Sequence, residues 1–318
     1  MSKKIVLGNA KAYIAIVLAY TIIGLNPLML KLTTPSATAL ELLTYRLSFA
    51  FICALFPVVI RRVKISLNLR DLIFLLPTMI VYAICFFSMQ TLALETLPST
   101  ESGIIFAISP IIATVLAAAL LKEKANGKQV IFIVTSVAGV IFIMLMKGAS
   151  PEAFDIRGTT FMVLTAVFFA LTTTLLRRVS GRYPAHTITF LVSGTGFVAY
   201  NIALVFVRLS SGTIGQYFSP LADWRFLLAV MFLGCAGMFM TSLLLSYALK
   251  RIESTKVVVF LSISTVVTIF AGAVFLSEPL HWFHILGTII IIVGVIGTNW
   301  SGNDAIAIRR AKRDASRQ

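Results

Sequence analysis

Residues 98–121 read PSTESGIIFAISPIIATVLAAALL, and Glu101 is the one charge among them. The run is too long for a strand and shows no alternation of apolar and polar positions. As a helix it is long enough to cross a bilayer, which takes about 20 mainly apolar residues. In lipid an open strand would leave its backbone groups unpaired, whereas a helix satisfies them internally.

Working outward, the chain carries ten such runs, at about 11–31, 38–60, 72–94, 98–121, 128–146, 158–177, 186–207, 225–249, 254–277 and 283–300. Short connections separate them, marked by Thr34-Pro35-Ser36, Ala125-Asn126-Gly127 and Glu278-Pro279. The longest, about 208–224, reads as an exposed loop. Of 318 residues, 58% are hydrophobic and 12% charged, with a mean hydropathy of +0.97. A soluble domain carries about 25% charged residues, so lipid is the solvent for most of this chain. The fold expected is all-α and polytopic, with about ten transmembrane helices. No cleavage site follows the first run, which reads as a retained span. Cys53, Cys85 and Cys235 lie inside apolar runs with no pair spacing. That pattern makes neither a disulfide framework nor a zinc signature, and reads as small buried apolar residues.

The net charge is +15, which in a soluble protein would point to nucleic acid. Its placement gives it a different meaning. With the N-terminus in the cytoplasm and the sides alternating, 21 Lys and Arg fall on the cytoplasmic side and 5 on the other, with Arg46 inside a span. The positive-inside bias then puts both termini in the cytoplasm and supports an even number of spans. No nucleic-acid partner is expected.

Shifting the chain by 155 residues lays the fourth and fifth runs on the ninth and tenth. Ser99-Thr100 meets Ser254-Thr255, Ile108-Ser109 meets Ile263-Ser264, Glu123 meets Glu278, and Gly139-Val140 meets Gly294-Val295. A weaker register of 146 pairs Gly24 with Ala170 and Lys31 with Arg177. Each half holds an odd number of spans, so the second copy enters the membrane inverted. Inverted repeats with a site near the midplane mark secondary transporters. The expected units are residues 1–147, a first five-helix repeat, and 148–303, a second and inverted one, followed by a basic tail at 304–318.

These residues carry a resemblance. Tyr45-Arg46, Leu97-Pro98-Ser99-Thr100, Ser109-Pro110, Leu120-Leu121-Lys122-Glu123 and Phe275-Leu276-Ser277-Glu278-Pro279 resemble the drug/metabolite transporter superfamily, in particular its ten-helix EamA-type members. The resemblance covers nearly the whole chain. It implies two five-helix repeats around a central cavity in a bacterial cytoplasmic membrane, moving amino acids and other small metabolites, often outward. The halves differ at Thr265, where Pro110 would be repeated, and at Val192, where the 146 register places Arg46.

Arg46 is the only basic residue well inside a run. A charge there costs about 2.5–3.5 kcal/mol on insertion scales and needs a partner or a wet cavity. Two readings stay open: Arg46 binds a substrate carboxylate, or it pairs with Glu41 or Glu101 to lock helices. Asn26-Pro27 breaks the first run, and Pro77 and Pro110 interrupt the third and fourth. A proline removes one helical hydrogen bond and frees a carbonyl. These breaks serve either as hinges, with Asn26 facing the cavity, or as packing kinks. Tyr82, Gln90, Thr172, Tyr247 and Ser264 are further candidates for the cavity wall, Gln90 and Tyr247 most of all because their polar tips need external partners. Glu123 and Glu278 read as caps for the helix that follows each. Glu278, His281 and His284 have metal-like spacing, but an interfacial cap with two solvated histidines is the simpler reading. Gly287, Gly294 and Ser301 form a small-residue stripe, suited to internal packing or to a homodimer face.

No phosphate loop, nucleophile elbow or zinc-protease motif is present. The expected function is therefore a gradient-driven secondary transporter working by alternating access on a small-molecule substrate, with no cofactor. Protons coupled through Glu101 or Glu41, and uncoupled export, are both open. A nucleotide-sugar antiporter would need more cationic residues in the spans. A membrane-embedded enzyme would need converging His, Asp or Glu, and a scaffold would lack a hydrated cavity.

Overall fold

The computed structural model describes residues 2–33, 37–63, 65, 67–109, 111–113, 115–116, 127–146, 155–249 and 260–315. Among the described residues there is no strand. The helices are α1 (Ser2–Thr33), α2 (Ala39–Val59), α3, α4 (opening as Ser99–Phe106), α5 (Gly127–Met146), α6 (Ile156–Ser180), α7 (Ala185–Ser210), α8, α9 (Leu261–Phe275) and α10 (Trp282–Ala315). Helix α3 runs as Leu69–Met79, a π-helical segment Ile80–Phe86, and Phe87–Thr96. Helix α8 repeats that plan as Trp224–Met231, a π-helical segment Phe232–Met240, and Thr241–Leu249.

Among the described residues six helices are long and apolar enough to cross a membrane, and four shorter apolar helices accompany them at Ser99–Ala113, Val130–Ile143, Ile263–Phe275 and Trp282–Gly297. The outward side chains are large and apolar, among them Ile14, Phe56, Ile73, Val134, Phe206 and Phe270. Such a surface suits acyl chains and not water. The chain is an all-helical, multi-pass membrane protein. The connection after α7 is more ordered than a plain loop, for it holds two 3₁₀ turns, Ile214–Gln216 and Ser219–Ala222.

Local chemistry sets the helix starts. Thr38 and Glu41 form a capping box on α2, with the Thr38 N–H donating to Glu41 at 2.8 Å. Asp155 caps α6 by accepting from the Gly158 N–H at 3.0 Å. The Asn68 N–H donates to Asp71 at the start of α3 at 2.9 Å. The Tyr183 hydroxyl also donates to Asp71, at 2.5 Å, and this bond pushes the Tyr183 pKa up. Pro27, Pro57 and Pro77 lie inside helices, whereas Pro110 and Glu123 lie outside the described residues.

Close backbone approach joins the helices. A Cβ on Gly24 of α1 would stand 2.6 Å from the Ser264 carbonyl oxygen of α9, and one on Gly103 of α4 would stand 2.8 Å from Thr268. Thr268 seals this contact by donating to the Gly24 carbonyl at 2.8 Å. Gly287 and Gly294 of α10 face Ile143 and Ser136 of α5, so this part of the stripe is internal packing. The side chain of Ser301 lies outside the described residues. At the centre, Phe86, Phe87, Phe106 and Phe169 form a chain of ring contacts with centroids 4.9 to 6.5 Å apart.

Candidate functional site

Arg46 projects from the middle of α2 and is 1% exposed. Its Nη1 donates to Gln90 Oε1 of α3 at 3.3 Å, and its guanidinium carbon lies 4.3 Å from the centroid of the Phe87 ring. Its Nε is buried without a hydrogen-bond partner. The ion-pair reading with Glu41 is overturned. One Glu41 oxygen pairs with Arg208 of α7, and the other takes the Thr38 amide and hydroxyl. The physical reason is reach: Glu41 sits in the first turn of α2, where capping and the end of α7 compete for it. Arg46 is therefore held by a neutral amide and an aromatic face. A desolvated cation–π contact is worth about 2 kcal/mol, and one donor of the fork remains unused.

Tyr82 stacks on Phe87, with ring centroids 5.2 Å apart and planes 20° apart, so Tyr82, Phe87 and Arg46 form one layer. Tyr200 of α7 donates to the Ile84 carbonyl at 3.2 Å inside the π segment of α3. Its only proton is spent there, so Ser88, 2.6 Å away, is the donor of the second bond. Gln90 and Ser264 line a small cavity with Ile23, Pro27, Ser102 and Thr265. Its volume is about 20 Å³, enough for one water. Pro27 has no N–H to offer Ile23, and both residues face that space. Phe106, which packs against Phe86 and Phe169, also lines this small cavity, which is the space seen among the described residues at the level of the expected open crevice.

Asn26 is 5% exposed, with an Oδ1 that has no hydrogen-bond partner, and it lies against Gly237 in the π segment of α8. Thr172 of α6 is 1% exposed and its hydroxyl is likewise without a partner. Tyr247 packs with Ala12, Ile16 and Tyr20 near the chain-terminal end of the bundle. Glu101 lies at the opposite end, on a cavity of about 220 Å³ shared with Thr100, Glu278, His281 and His284. The structure therefore joins Arg46, Tyr82 and Gln90, places Ser264 on Gln90's cavity, and sends Glu101 and Tyr247 to different ends.

Glu278 does not cap the helix that follows it. Its carboxylate accepts from the Ser99 and Thr100 N–H groups and from the Thr100 hydroxyl, each at 2.7 Å. It thus caps α4, 178 residues earlier in the chain, because Pro279 and the turn at Ser277 carry it away from α10. His284 is buried rather than solvated, at 5% exposure. Its Nδ1 accepts from the His281 N–H at 3.2 Å. Among the described residues no group of three His, Cys, Asp or Glu could hold a metal.

Several residues escaped the sequence reading. Asn201 of α7 donates to Ser48 of α2 at 3.1 Å and accepts from the Tyr217 hydroxyl at 2.5 Å. Tyr45 in turn donates to the Tyr217 carbonyl. The Cys53 and Cys235 sulfurs lie 2.8 Å apart across α2 and α8. Separations of 153 and 182 residues hide such pairs. An asparagine inside an apolar run was the one available signal.

A model of the EamA-like transporter family matches residues 10–145 and 156–300. The uncharacterized transporter YcxC of Bacillus subtilis (strain 168) is 38% identical over 288 residues, covering 91% of this chain and 92% of that protein. The uncharacterized transporter YetK of the same organism is 27% identical over 206 residues, covering 63% of this chain and 59% of that one. A crystal structure of a protein 16% identical to this one covers 92% of this chain and 96% of its own, with a TM-score of 0.58. That likeness concerns the fold alone.

Proposed function

Because the chain belongs to the EamA-like transporter family, we propose that this membrane transporter is a secondary carrier that moves a small carboxylate-bearing metabolite, such as an amino acid, by alternating access. The observation that carries the reading is Arg46. A guanidinium buried in the spans, without a carboxylate partner among the described residues and with Nε unused, is a costly arrangement. A substrate carboxylate would relieve it by taking the fork in two parallel bonds and displacing the neutral Gln90. The two repeats would be inverted copies that rock about this level, and the packed centre would be the empty, closed form. The charge bias of 21 to 5 supports termini on the cytoplasmic side of a bacterial plasma membrane.

The test is flux in reconstituted vesicles against a panel of amino acids and other metabolites, with and without a pH gradient. Flux of a carboxylate is expected, falling at least about tenfold in Arg46→Ala at equal insertion, since tenfold corresponds to about 1.4 kcal/mol of lost binding. Full flux in Arg46→Ala would remove Arg46 from the site. A dependence on the pH gradient identifies a coupling proton.

A further inference from the structure

The Glu278 carboxylate reaches from the end of α9 to the first turn of α4, and three features converge to place it. Gly272 leaves the room: a Cβ there would stand 2.5 Å from Glu278 Oε2 and 2.8 Å from the Thr100 hydroxyl. Ser277 turns the chain with φ of 52°, a left-handed conformation that a serine adopts only when its surroundings require it. The Glu278 N–H is held by the Gly272 carbonyl at 3.2 Å. The three donors on α4 then all converge on one carboxylate. Charge-assisted bonds of this kind are about twice as strong as neutral ones. Lys31 of α1 lies within electrostatic reach of Glu278, Asp155 and Glu101, so the same end of the bundle gathers charges from α1, α4, α6 and the connection before α10. Beside the carboxylate, the cavity of about 220 Å³ gives it space to leave.

We propose that Glu278 is the latch of a gate at the end of the bundle opposite the chain termini: its grip on Ser99 and Thr100 holds α4 against the α9–α10 connection, and releasing it opens that face to the central site. This rests on the carrier reading above. Helix α4 leads from the latch to Ser102, which lines the central cavity, so a movement of its first turn uncovers the site directly. A static cap would loosen the whole molecule when broken. A latch shifts access from one face to the other.

The experiment follows a cysteine at Ser102 in a chain whose Cys53, Cys85 and Cys235 are replaced by serine. A membrane-impermeant methanethiosulfonate with a quaternary ammonium head is applied from the face opposite the termini. Glu278→Gln is expected to raise the labelling rate at least about tenfold, the effect of losing one hydrogen bond to a charged group. A cysteine at Tyr247, probed from the terminal face, is expected to label more slowly in the same variant. Thr100→Val removes one donor and is expected to act in the same directions more weakly, and it carries the test if Glu278→Gln does not accumulate as folded protein. Unchanged rates in the folded variants, or a rise at both positions, overturn the latch. Labelling needs no substrate, so that result would leave the flux assay and the carrier reading standing.

Discussion

Arg46 and Gln90 meet across α2 and α3 with an Nη1 to Oε1 distance of 3.3 Å, a long hydrogen bond between a cation and a neutral amide. It positions the guanidinium without neutralising it. A carboxylate in place of that amide would form the ion pair that the protein lacks here.

Gln90→Glu is therefore expected to separate stability from transport. The new carboxylate would pair with Arg46 in a dry setting and compete with the substrate. Thermal unfolding in detergent is expected at an equal or higher Tm, while the KM for a carboxylate substrate rises at least about tenfold, equivalent to about 1.4 kcal/mol. An unchanged KM would falsify the placement of the substrate anion at Arg46.

Gly272→Ala puts a methyl group against Glu278 Oε2 and the Thr100 hydroxyl. Overpacking of this kind costs about 1–3 kcal/mol, read as a lower Tm. Gly181→Ala is the control, since nothing lies within 4 Å of the position its Cβ would take, and its Tm is expected to stay within experimental scatter of the parent.

Arg208→Ala strands the Glu41 carboxylate, whose side chain is 6% exposed. Removing one partner of a buried pair costs about 3–5 kcal/mol, and the partial exposure of Arg208 puts the expected loss at the lower end. Adding Glu41→Gln is expected to recover part of it, because residues in one network do not act additively. Equal losses in the single and double variants would show that Arg208 acts through packing alone.

Cys53 and Cys235 are expected to join under copper–phenanthroline, each thiol losing one electron and one proton as the oxidant is reduced. Mass spectrometry of the digested protein should find one peptide pair linking α2 to α8, absent in Cys53→Ser and in Cys235→Ser. Linkage of Cys85 instead would contradict the 2.8 Å approach of the two sulfurs.

The lipid-facing helices were legible because each is written locally, as a continuous apolar stretch with a cap or proline at its edge. Thr38 and Glu41 announce α2 three residues apart, and Arg46 stands out in its run because a charge there is costly. What the sequence did not show was partnership. Glu278 carries the marks of a cap for its own neighbour, yet its target is set by the turn at Ser277 and the gap at Gly272, which only tertiary placement reveals. The same holds for Glu41, whose choice of Arg208 over Arg46 depends on where α7 ends. The packing around the small central cavity was also hidden, since polar side chains counted along a helix do not reveal how aromatic rings from three helices meet beside it.

The π-helical segments in α3 and α8 have a consequence for comparing related chains. Shifted by 155 residues, Ile80–Phe86 falls on 235–241, overlapping Phe232–Met240. A π bulge arises when one extra residue is accommodated within an α-helix, and one residue corresponds to about 100° of rotation. Deleting one residue from Ile80–Phe86 is therefore expected to close the segment into a regular α-helix with both flanks keeping their faces, Leu75 in the core and Gln90 in place, whereas Leu69–Met79 counted through it at the α period would be misplaced by roughly that angle. An alignment that reads straight through this stretch will assign the wrong face to one half of the helix.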